Sequence, residues 1–346
     1  MSEVVVERFN GEAELAKHWD SFVAQCGNAT FFHLSGWLQI NQQVMGHKGH
    51  YLYASEQGNI VGVLPLVEQK SALFGHALIS TPFCVYGGVA SDSAEVRRKL
   101  EDAAIELAHK LQVDYLELRN KEASDNPRLT EKCAHSYFAW PLGEDPDAIL
   151  AGVKKKQRAV IRHSLKNDLS FRVDKDTDTA YTVYSESVRN LGTPVFPKDY
   201  FKALKQVFTD NCNVLTVEHQ GQPVSSVLNF YFRDQVLPYY GGGVPAARDL
   251  KSNDFMYYQL MCDARARGYQ HYDFGRSKDD SGAYKYKKHW GMEPVSLHYQ
   301  FHLVKARELP NLSPNNPKYQ LFIKLWQKLP LWLSRTIGPL LSRYLG

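Results

Sequence analysis

The sequence is poor in cysteine and has no long apolar run. Its five cysteines are odd in number and widely separated, and none forms a Cys-x-x-Cys pair, so neither a disulfide framework nor a zinc site is expected. No stretch approaches the ~20 apolar residues that span a membrane, and the first residues lack the basic and apolar regions of a signal peptide. These absences predict a cytoplasmic protein with reduced core thiols and no metal centre.

Length and composition indicate a folded chain of two domains. A length of 346 residues exceeds what one core usually supports, and a hydrophobic fraction of 44% excludes a disordered chain. Charge is uneven: residues 1–150 hold 12 Lys/Arg and 20 Asp/Glu, whereas residues 151–346 hold 29 and 17. The basic second half is therefore expected to meet anions, and the acidic first half argues against RNA binding as the main purpose.

Hydrophobic patterning predicts the same order of elements twice. In the first half we expect strands, a hairpin, a helix and a strand, at Val4–Phe9, Tyr51–Glu56, Ile60–Glu68, Leu73–Ser80, Val85–Ala90, Ala94–Leu111 and Tyr115–Arg119, with earlier helices at Glu12–Gln25 and Ser35–Met45. In the second half the corresponding elements are Val214–Glu218, Pro223–Phe232, Gln235–Tyr240, the helix Asn253–Arg267 and Gln270–Phe274. This is the order of a GNAT-like domain, and the alternative is that similar hairpins recur by chance.

The predicted fold class is therefore α/β, with two tandem GNAT-like (acyl-CoA N-acyltransferase) domains and a C-terminal amphipathic helical tail. Turn residues near position 145 place the expected boundaries at 1–145, 146–308 and 309–346. Asp147 is expected to cap a helix that runs through Leu165.

A basic segment opens the second domain. Residues 154–166 hold six Lys/Arg and no acid, and on a helix Arg158 and Arg162 share one face with Lys155 and Lys166. Such a face suits phosphate or an RNA backbone, and the alternative is a solvated basic surface.

The densest chemistry lies at 272–291. Asp273 ends a strand, Gly275 allows close backbone approach, and Arg276 and Lys278 precede a cluster of Lys, Tyr and Trp. This combination predicts a site for a phosphorylated or nucleotide-bearing substrate.

At these residues the chain resembles the FemAB (FemABX-type) family of acyl and aminoacyl transferases, and in particular the branch associated with exosortase and PEP-CTERM envelope systems. The resemblance covers about residues 1–305. The motifs that carry it are Phe31-Phe-His-Leu-Ser-Gly-Trp37, the basic helix, Gly192-Thr-Pro-Val-Phe196-Pro, Tyr240-Gly-Gly-Gly243, Asp273-Phe-Gly-Arg276-Ser and Gly282-Ala-Tyr284-Lys285-Tyr286-Lys287-Lys-His-Trp-Gly291.

The resemblance implies transfer to an amine from aminoacyl-tRNA or acyl-CoA, with no tightly bound cofactor. It places Lys287 and Tyr286 at the charged donor, while surface charge is the alternative for Lys287. The donor and substrate residues that we predict are Trp37, Arg158, Arg162, Tyr240, Arg276, Lys285, Tyr286 and Lys287. Several family members carry a lysine four residues after the position of Trp37, and Asn41 stands there in this chain. This departure argues against a contact with the diphosphate of a peptidoglycan precursor.

The donor stays open at this stage. A CoA-binding GNAT loop carries glycines after its fourth strand, and residues 246–253 and 89–94 have none. Arg248, Lys251 and a helix start at Ser252 and Asn253 still offer charge and amide donors. Amide formation also needs a neutral amine, so we predict Asp273 as the catalytic base. The alternative is an Asp273 that only pairs with Arg276 or Lys278.

The tail combines apolar and basic residues. After Glu308 there is no acidic residue, while Lys318, Lys324, Lys328, Arg335 and Arg343 remain beside Tyr319, Phe322, Trp326 and Trp332. A basic amphipathic segment predicts that residues 318–346 bind the inner leaflet, and docking on the protein's own core is the alternative.

These features predict an enzyme that transfers an acyl or aminoacyl group to an amino group of a cell-envelope acceptor. The acceptor is expected to be a peptidoglycan or exopolysaccharide precursor, lipid-linked, and tRNA a partner on the donor side. The protein would then act in the cytoplasm, peripheral to the inner membrane. A second hypothesis is a non-catalytic envelope-assembly adaptor. It would bind its substrate through the groove that the family resemblance implies between the two domains.

Overall fold

The computed structural model describes residues 3–310 and 317–345, with only the backbone of residues 317–319. The predictions for residues 311–316 and 346, and for the side chains of Lys318 and Tyr319, lie outside the described residues. The described chain divides into two compact units. Unit 1 comprises 3–134, 296–310 and 344–345, and unit 2 comprises 135–295 and 317–343.

Unit 1 is a mixed α/β unit. Its first part contains β1 (Val5–Phe9), α1 (Ala13–Gln25), α2 (Gly36–Gln39), β2 (Lys48–Gly49), β3 (Tyr51–Glu56), β4 (Asn59–Leu64), β5 (Leu66–Ser71), β6 (Gly75–Ser80), α3 (Ala94–Leu111), β7 (Tyr115–Asn120) and β8 (Thr130–Lys132). The strand order is β1-β3-β4 in one sheet. The buried face of α3 packs on this unit's core through Val96, Leu100, Ala104 and Ile105.

The predictions for unit 1 differ from the structure in three places. The long strand predicted at Ile60–Glu68 is two strands, β4 and β5, separated at Pro65, where proline provides no N–H for a ladder. The strand predicted at Val85–Ala90 is irregular, with one isolated bridge from Ala90 to Val63. The helix predicted at Ser35–Met45 changes from α2 to a π-helical turn at Ile40–Val44.

Unit 2 has one extended sheet. Its elements are β9 (His135–Pro141), α4 (Pro146–Gly152), α5 (Lys155–Ser164), β10 (Leu169–Asp174), α6 (Asp178–Leu191), α7 (Lys198–Phe208), β11 (Cys212–His219), β12 (Gln222–Phe232), β13 (Gln235–Gly243), α8 (Ala247–Leu250), α9 (Ser252–Ala266), β14 (His271–Lys278), α10 (Gly282–Trp290) and β15 (Val295–Ser296). The order in the sheet is β10-β11-β12-β13-β14-β9-β15.

The single helix predicted from Asp147 to Leu165 is two helices. The cap is Asp145, whose side chain accepts from the amide of Ala148 at 2.7 Å, and Pro146 occupies the first turn, where its missing N–H costs nothing. The chain turns extended at Val153, which is buried, before α5 begins.

Two strands cross between the predicted domains. β9 pairs with β14 in unit 2, and the later strand β16 (His298–Leu303) pairs with β7 and β8 in unit 1, where the sheet order is β2-β5-β6-β7-β16-β8. The chain therefore passes to unit 2 after Ala134 and back to unit 1 at Ser296, and the predicted boundaries at 145 and 308 lie after these positions.

The tail forms α11 (Pro317–Trp326) and α12 (Leu331–Ser342), and it packs on unit 2. Arg335 donates from Nε to the hydroxyl of Ser185 on α6 at 2.8 Å, and Trp326 is buried. Leu321, Leu325 and Trp332 remain exposed, Trp332 by 69%. In the part of the chain that is described, none of the helices has the length and apolarity needed to cross a membrane.

Candidate active site

The candidate site lies where β13 and β14 separate. These strands are parallel, and within the described residues their pairing is confined to Gln235 with His271 and Val236 with Tyr272. Beyond these positions β13 continues to Gly243 and β14 to Lys278. Because the two strands lose their shared hydrogen bonds, their carboxyl-terminal halves leave an opening, which is where ligands bind in open α/β sheets.

The edge of this opening is a bulge in β14. The register between β14 and β9 shifts between Asp273 and Arg276, and Gly275 adopts φ +69°. Asp273 is buried, and its Oδ1 accepts from the amide of Gly275 at 2.8 Å. Glycine adopts a positive φ at little cost, so Gly275 favours the turn and the Asp273 carboxylate holds it.

Lys287 lies against this bulge. It sits on α10, whose start is capped by the Ser281 hydroxyl, and it is only 8% exposed. Its Nζ donates to the main-chain oxygens of Gly275 at 3.1 Å and Arg276 at 2.9 Å. The same nitrogen lies 5.6 Å from the centre of the Phe138 ring on β9. The lysine predicted at the donor is therefore a buried amine fixed at the bulge and not an exposed surface charge.

The surroundings of Lys287 lower its pKa to about 7. Burial is the main cause, the charge of Arg276 acts in the same direction, and the Asp273 carboxylate opposes both. Near neutral pH the amine is consequently divided between its charged and neutral forms. An amine in that range can accept or release a proton during a reaction.

A second acidic group, half-buried, lies at the start of α9. Asp254 accepts through Oδ1 from the side-chain amide of Gln157 at 2.6 Å and from the hydroxyl of Tyr286 at 2.8 Å. Burial raises the pKa of Asp254, although the hydrogen bonds from Tyr286 and Gln157 reduce the effect. Burial also raises the pKa of Tyr286 well above its ordinary value, so this hydroxyl stays protonated and donates to Asp254. The Asp254 carboxylate thereby connects α5, α9 and α10.

Other predicted residues have structural or surface positions. Arg158 donates from Nη2 to the main-chain oxygens of Ala151 at 2.8 Å and Val153 at 2.9 Å, which satisfies the end of α4. Arg162 and Lys285 are exposed, and Arg276 is half-buried. Of the predicted cluster, the structure brings Asp273, Arg276 and Lys287 together.

The glycine triplet and Tyr240 belong to the packing of β13. A Cβ on Gly241 would lie 2.8 Å from the Tyr257 hydroxyl, and one on Gly242 would lie 2.6 Å from the Cβ of Ser187, so α9 and α6 need these glycines. Tyr240 is buried, and its hydroxyl hydrogen-bonds that of Tyr200 at 2.9 Å. The triplet serves close helix packing instead of a phosphate loop.

Trp37 lies in the core of unit 1. It is fully buried, and its indole N–H donates to the main-chain oxygen of Phe31 at 3.2 Å. A substrate contact for Trp37 therefore finds no support in its position. A separate pocket of about 280 Å³, part of it open solvent, lies in unit 1 after the carboxyl ends of β6 and β7. Its lining includes His33, Tyr86, Gly88, Arg119, Asn120 and Lys121.

The sequence analysis did not identify Asp254, Gln157 or Phe138 as site residues. Asp254 had a local signal, since it is an acid in the first turn of a helix that follows the diverging strand. Gln157 and Phe138 had none, because their positions depend on pairing with distant segments.

Residues 151–288 match the family model described as acetyltransferase (GNAT) domain. This span contains α5, the diverging strands and most of α10. None of the curated proteins matches the chain in sequence.

Solved structures resemble the whole chain at low identity. The crystal structure of FemX matches with a TM-score of 0.69 and 15% identity, covering 92% of this chain and 100% of that one. A tandem GNAT protein from the clavulanic acid biosynthesis pathway matches at 0.55 and 12%, covering 88% and 100%. The C-terminal domain of an assigned lysylphosphatidylglycerol synthetase from Agrobacterium fabrum matches at 0.56 and 12%, covering 84% and 92%.

These likenesses confirm the predicted fold class. The chain has a FemX-like fold of tandem GNAT units with C-terminal helices, and the match to the acetyltransferase (GNAT) domain model lies within unit 2.

Proposed function

We propose that this protein is an N-acyltransferase that joins an aminoacyl or acyl group to an amino group of a cell-envelope acceptor. The observation that carries the proposal is the buried Lys287 amine, with its pKa lowered to about 7 beside Asp273 at the opening between β13 and β14. A titrating group at that opening suits a reaction in which an amine must lose a proton.

The reaction has simple requirements. The acceptor nitrogen attacks the carbonyl carbon of the donor, a C–N bond forms, and the ester C–O or thioester C–S bond breaks. The nitrogen gives up one proton, and the leaving oxygen or sulfur takes one. Asp273 remains our candidate base, and Lys287 supplies a second site that can hold the proton near pH 7.

The donor is proposed as aminoacyl-tRNA or acyl-CoA. The basic face that includes the exposed Arg162 lies on α5, which packs on α9 and α10 around the Asp254 carboxylate. Exposed cations on this helix favour a donor with phosphates, which both donor classes contain. The loop after β13 contains no glycine that could cradle a pyrophosphate, and Gly241 and Gly242 at the end of β13 are used in helix packing, so we favour the tRNA ester.

The acceptor is proposed to be lipid-linked and met at the inner leaflet. The fold likeness to a domain named for lysylphosphatidylglycerol synthesis is in keeping with such an acceptor. The tail presents Leu321, Leu325 and Trp332 to solvent together with the exposed Lys324 and Lys328. Apolar area with cations and no acids is the combination that interfacial binding to anionic lipid requires. An exopolysaccharide or peptidoglycan precursor of the exosortase-associated systems is our first choice.

The test is label transfer by the purified chain. Aminoacyl-tRNA and acyl-CoA, each labelled in the transferred group, are incubated separately with an envelope extract, and amide-linked product is measured after alkaline cleavage of esters. We expect transfer from one donor class, lost in Lys287→Met and kept in Lys288→Met, a neighbouring helix lysine. If the protein binds a component of the envelope extract but transfers label from neither donor, the result would favour the envelope-assembly adaptor.

A further inference from the structure

Three potential metal ligands converge at the edge of the unit 1 sheet. Cys133 Sγ lies 3.2 Å from Glu131 Oε1 and 3.7 Å from His298 Nδ1. His298 Nδ1 lies 3.1 Å from Glu131 Oε2. One ligand atom of each residue lies within 4.8 Å of the others.

Strand geometry explains why these side chains meet. Glu131 lies on β8 and Cys133 directly follows its last residue, Lys132, so the two-residue spacing directs both side chains to the same face if the chain stays extended. β16 pairs antiparallel with β8, with Gln300 opposite Glu131 and Tyr299 opposite Lys132. Continuing that register places His298 opposite Cys133. The sulfur, nitrogen and oxygen ligands therefore share one face because of the backbone pairing.

The spacing of the three atoms matches a tetrahedral zinc ion. With Zn–S of about 2.3 Å and Zn–N and Zn–O of about 2.0–2.2 Å, tetrahedral angles give ligand separations of about 3.4–3.6 Å. Cys133 Sγ and His298 Nδ1 are 3.7 Å apart, and each lies near a different oxygen of the Glu131 carboxylate, Oε1 at 3.2 Å and Oε2 at 3.1 Å. A rotation of the Glu131 side chain that brings one oxygen between the sulfur and the nitrogen would complete the site for an ion.

The charge and exposure of the cluster also suit a cation. Cys133 is exposed, and the side chains of His298 and Glu131 are 31% and 38% exposed, so an ion can enter from solvent. Thiolate, imidazole and carboxylate are the ligand types that zinc accepts.

We propose that Glu131, Cys133 and His298 form a binding site for a Zn²⁺-type divalent cation, with the fourth position open to water. The ion would replace the thiol proton of Cys133 and bind the neutral His298 ring. It would tie the short edge strand β8 to β16 and stabilise unit 1. The prediction of no zinc site rested on cysteine spacing, and that spacing misses a ligand 165 positions away.

The test uses Co²⁺ as a spectroscopic probe on the full chain, purified without a polyhistidine tag. We expect one equivalent of Co²⁺ to bind, with a thiolate-to-cobalt charge-transfer band and the intense visible bands of a tetrahedral ion, both displaced by Zn²⁺. Cys133→Ser should abolish the charge-transfer band, and His298→Gln should weaken Co²⁺ binding by more than roughly tenfold. Cys262→Ser, which alters a half-buried cysteine of unit 2, is the matched control and should keep the band.

Thermal unfolding gives a second readout. A cation that binds only the folded chain raises the melting temperature in a concentration-dependent way. Zn²⁺ should therefore raise Tm in the wild type and in Cys262→Ser, and leave it unchanged in Cys133→Ser. A cobalt spectrum without the charge-transfer band, or a Zn²⁺ shift that persists in Cys133→Ser, would overturn the proposal. Both readouts are independent of acyl transfer.

Discussion

The Lys287 amine donates to the main-chain oxygen of Arg276 across 2.9 Å, at the point where β14 bulges. The amine thus depends on a backbone distortion for its partners, and the distortion depends on Gly275 and Asp273. Burial removes water from the charged form of this lysine and raises its free energy, even with carbonyl partners. The protonation state of the site is therefore linked to the stability of unit 2.

The stability of the protein should depend on pH through Lys287. Its pKa is lowered to about 7 in the folded chain, whereas an unfolded lysine titrates near 10.4, so between these values the unfolded chain binds more protons. The free energy of unfolding contributed by Lys287 consequently rises with pH across that window and is lost as pH falls to about 7. Relative to wild type, Lys287→Met should be more stable at pH 6 than at pH 10, by on the order of a few kcal/mol.

Denaturant unfolding of both proteins at several pH values measures this difference, and the titrating groups that do not interact with Lys287 cancel in the comparison. Lys288→Met, which alters a less buried lysine on the same helix, should show a much weaker pH dependence. A Lys287→Met difference that stays constant from pH 6 to pH 10 would mean that the amine keeps its charge in the folded chain.

Asp273→Asn should lower the transfer rate and shift its pH dependence. If Asp273 is the base, the rate should fall by a factor on the order of 10²–10⁴. Asn keeps the oxygen that accepts from the Gly275 amide, but removes the charge that supports protonated Lys287. The pH at which the residual transfer rate rises should therefore be lower in Asp273→Asn than in the wild type. An unchanged rate with a lowered melting temperature would instead give Asp273 a purely structural role.

Tyr286→Phe should destabilise unit 2 more than it weakens donor binding. The substitution removes the hydroxyl that donates to Asp254 at 2.8 Å and leaves a half-buried carboxylate with one partner fewer, at a cost of about 1 kcal/mol. The same substitution made in an Asp254→Leu background should cost less, and the double-mutant cycle gives the coupling. A raised donor KM with unchanged stability would place the Tyr286 hydroxyl at the donor.

Arg158 and Arg162 should separate into two roles. Arg158→Met removes the donors that satisfy the end of α4, and should lower stability by up to about 2 kcal/mol with little change in donor KM. Arg162→Met changes an exposed charge, and should raise donor KM at low salt, with an effect that fades at high salt. Parallel measurements of Tm and donor KM test both variants. A raised donor KM with unchanged Tm in Arg158→Met would indicate that Arg158 contacts the donor.

Local patterns predicted most of the fold. The helix expected at Ala94–Leu111 and the strand at Tyr51–Glu56 have those bounds in the structure, because their period and end signals lie within the segments themselves. The membership of β9 in the unit 2 sheet and of β16 in the unit 1 sheet carries no such signal, since it depends on pairing between distant strands. The helix α10 was missed although Ser281 and Gly291 mark its ends.

Residue types predicted which side chains form the cluster, but they did not predict the burial or the partners of those side chains. Asp273, Arg276 and Lys287 do lie together, yet the burial of Lys287 follows from Phe138 on a strand of distant sequence. Residue types alone also could not show that Arg158 ends a helix or that Gly241 makes room for Tyr257.

The tail should bind anionic membranes through its exposed apolar residues. Trp332 and Leu325 are 69% and 60% exposed, and the neighbouring Lys324 and Lys328 are attracted to anionic headgroups at up to about 1 kcal/mol each. Replacing both apolar residues by Ser leaves the packed contacts of Trp326 and Arg335 in place, which deletion of the tail would not. The double variant should lose most co-sedimentation with anionic vesicles at low salt. Leu73→Ser, at a 73% exposed apolar residue of unit 1, should bind as the wild type does.

Salt and lipid composition separate this membrane role from a clasp on unit 2. Binding that combines apolar area with charge should weaken at high salt and on neutral vesicles, without disappearing in the wild type. If the wild type stays in the supernatant with anionic vesicles at low salt, the inner-leaflet proposal fails, and α11 and α12 serve only to cover α6. In that event label transfer should proceed equally well with detergent-dispersed and vesicle-bound acceptor, because confinement to a surface would bring no gain in effective concentration.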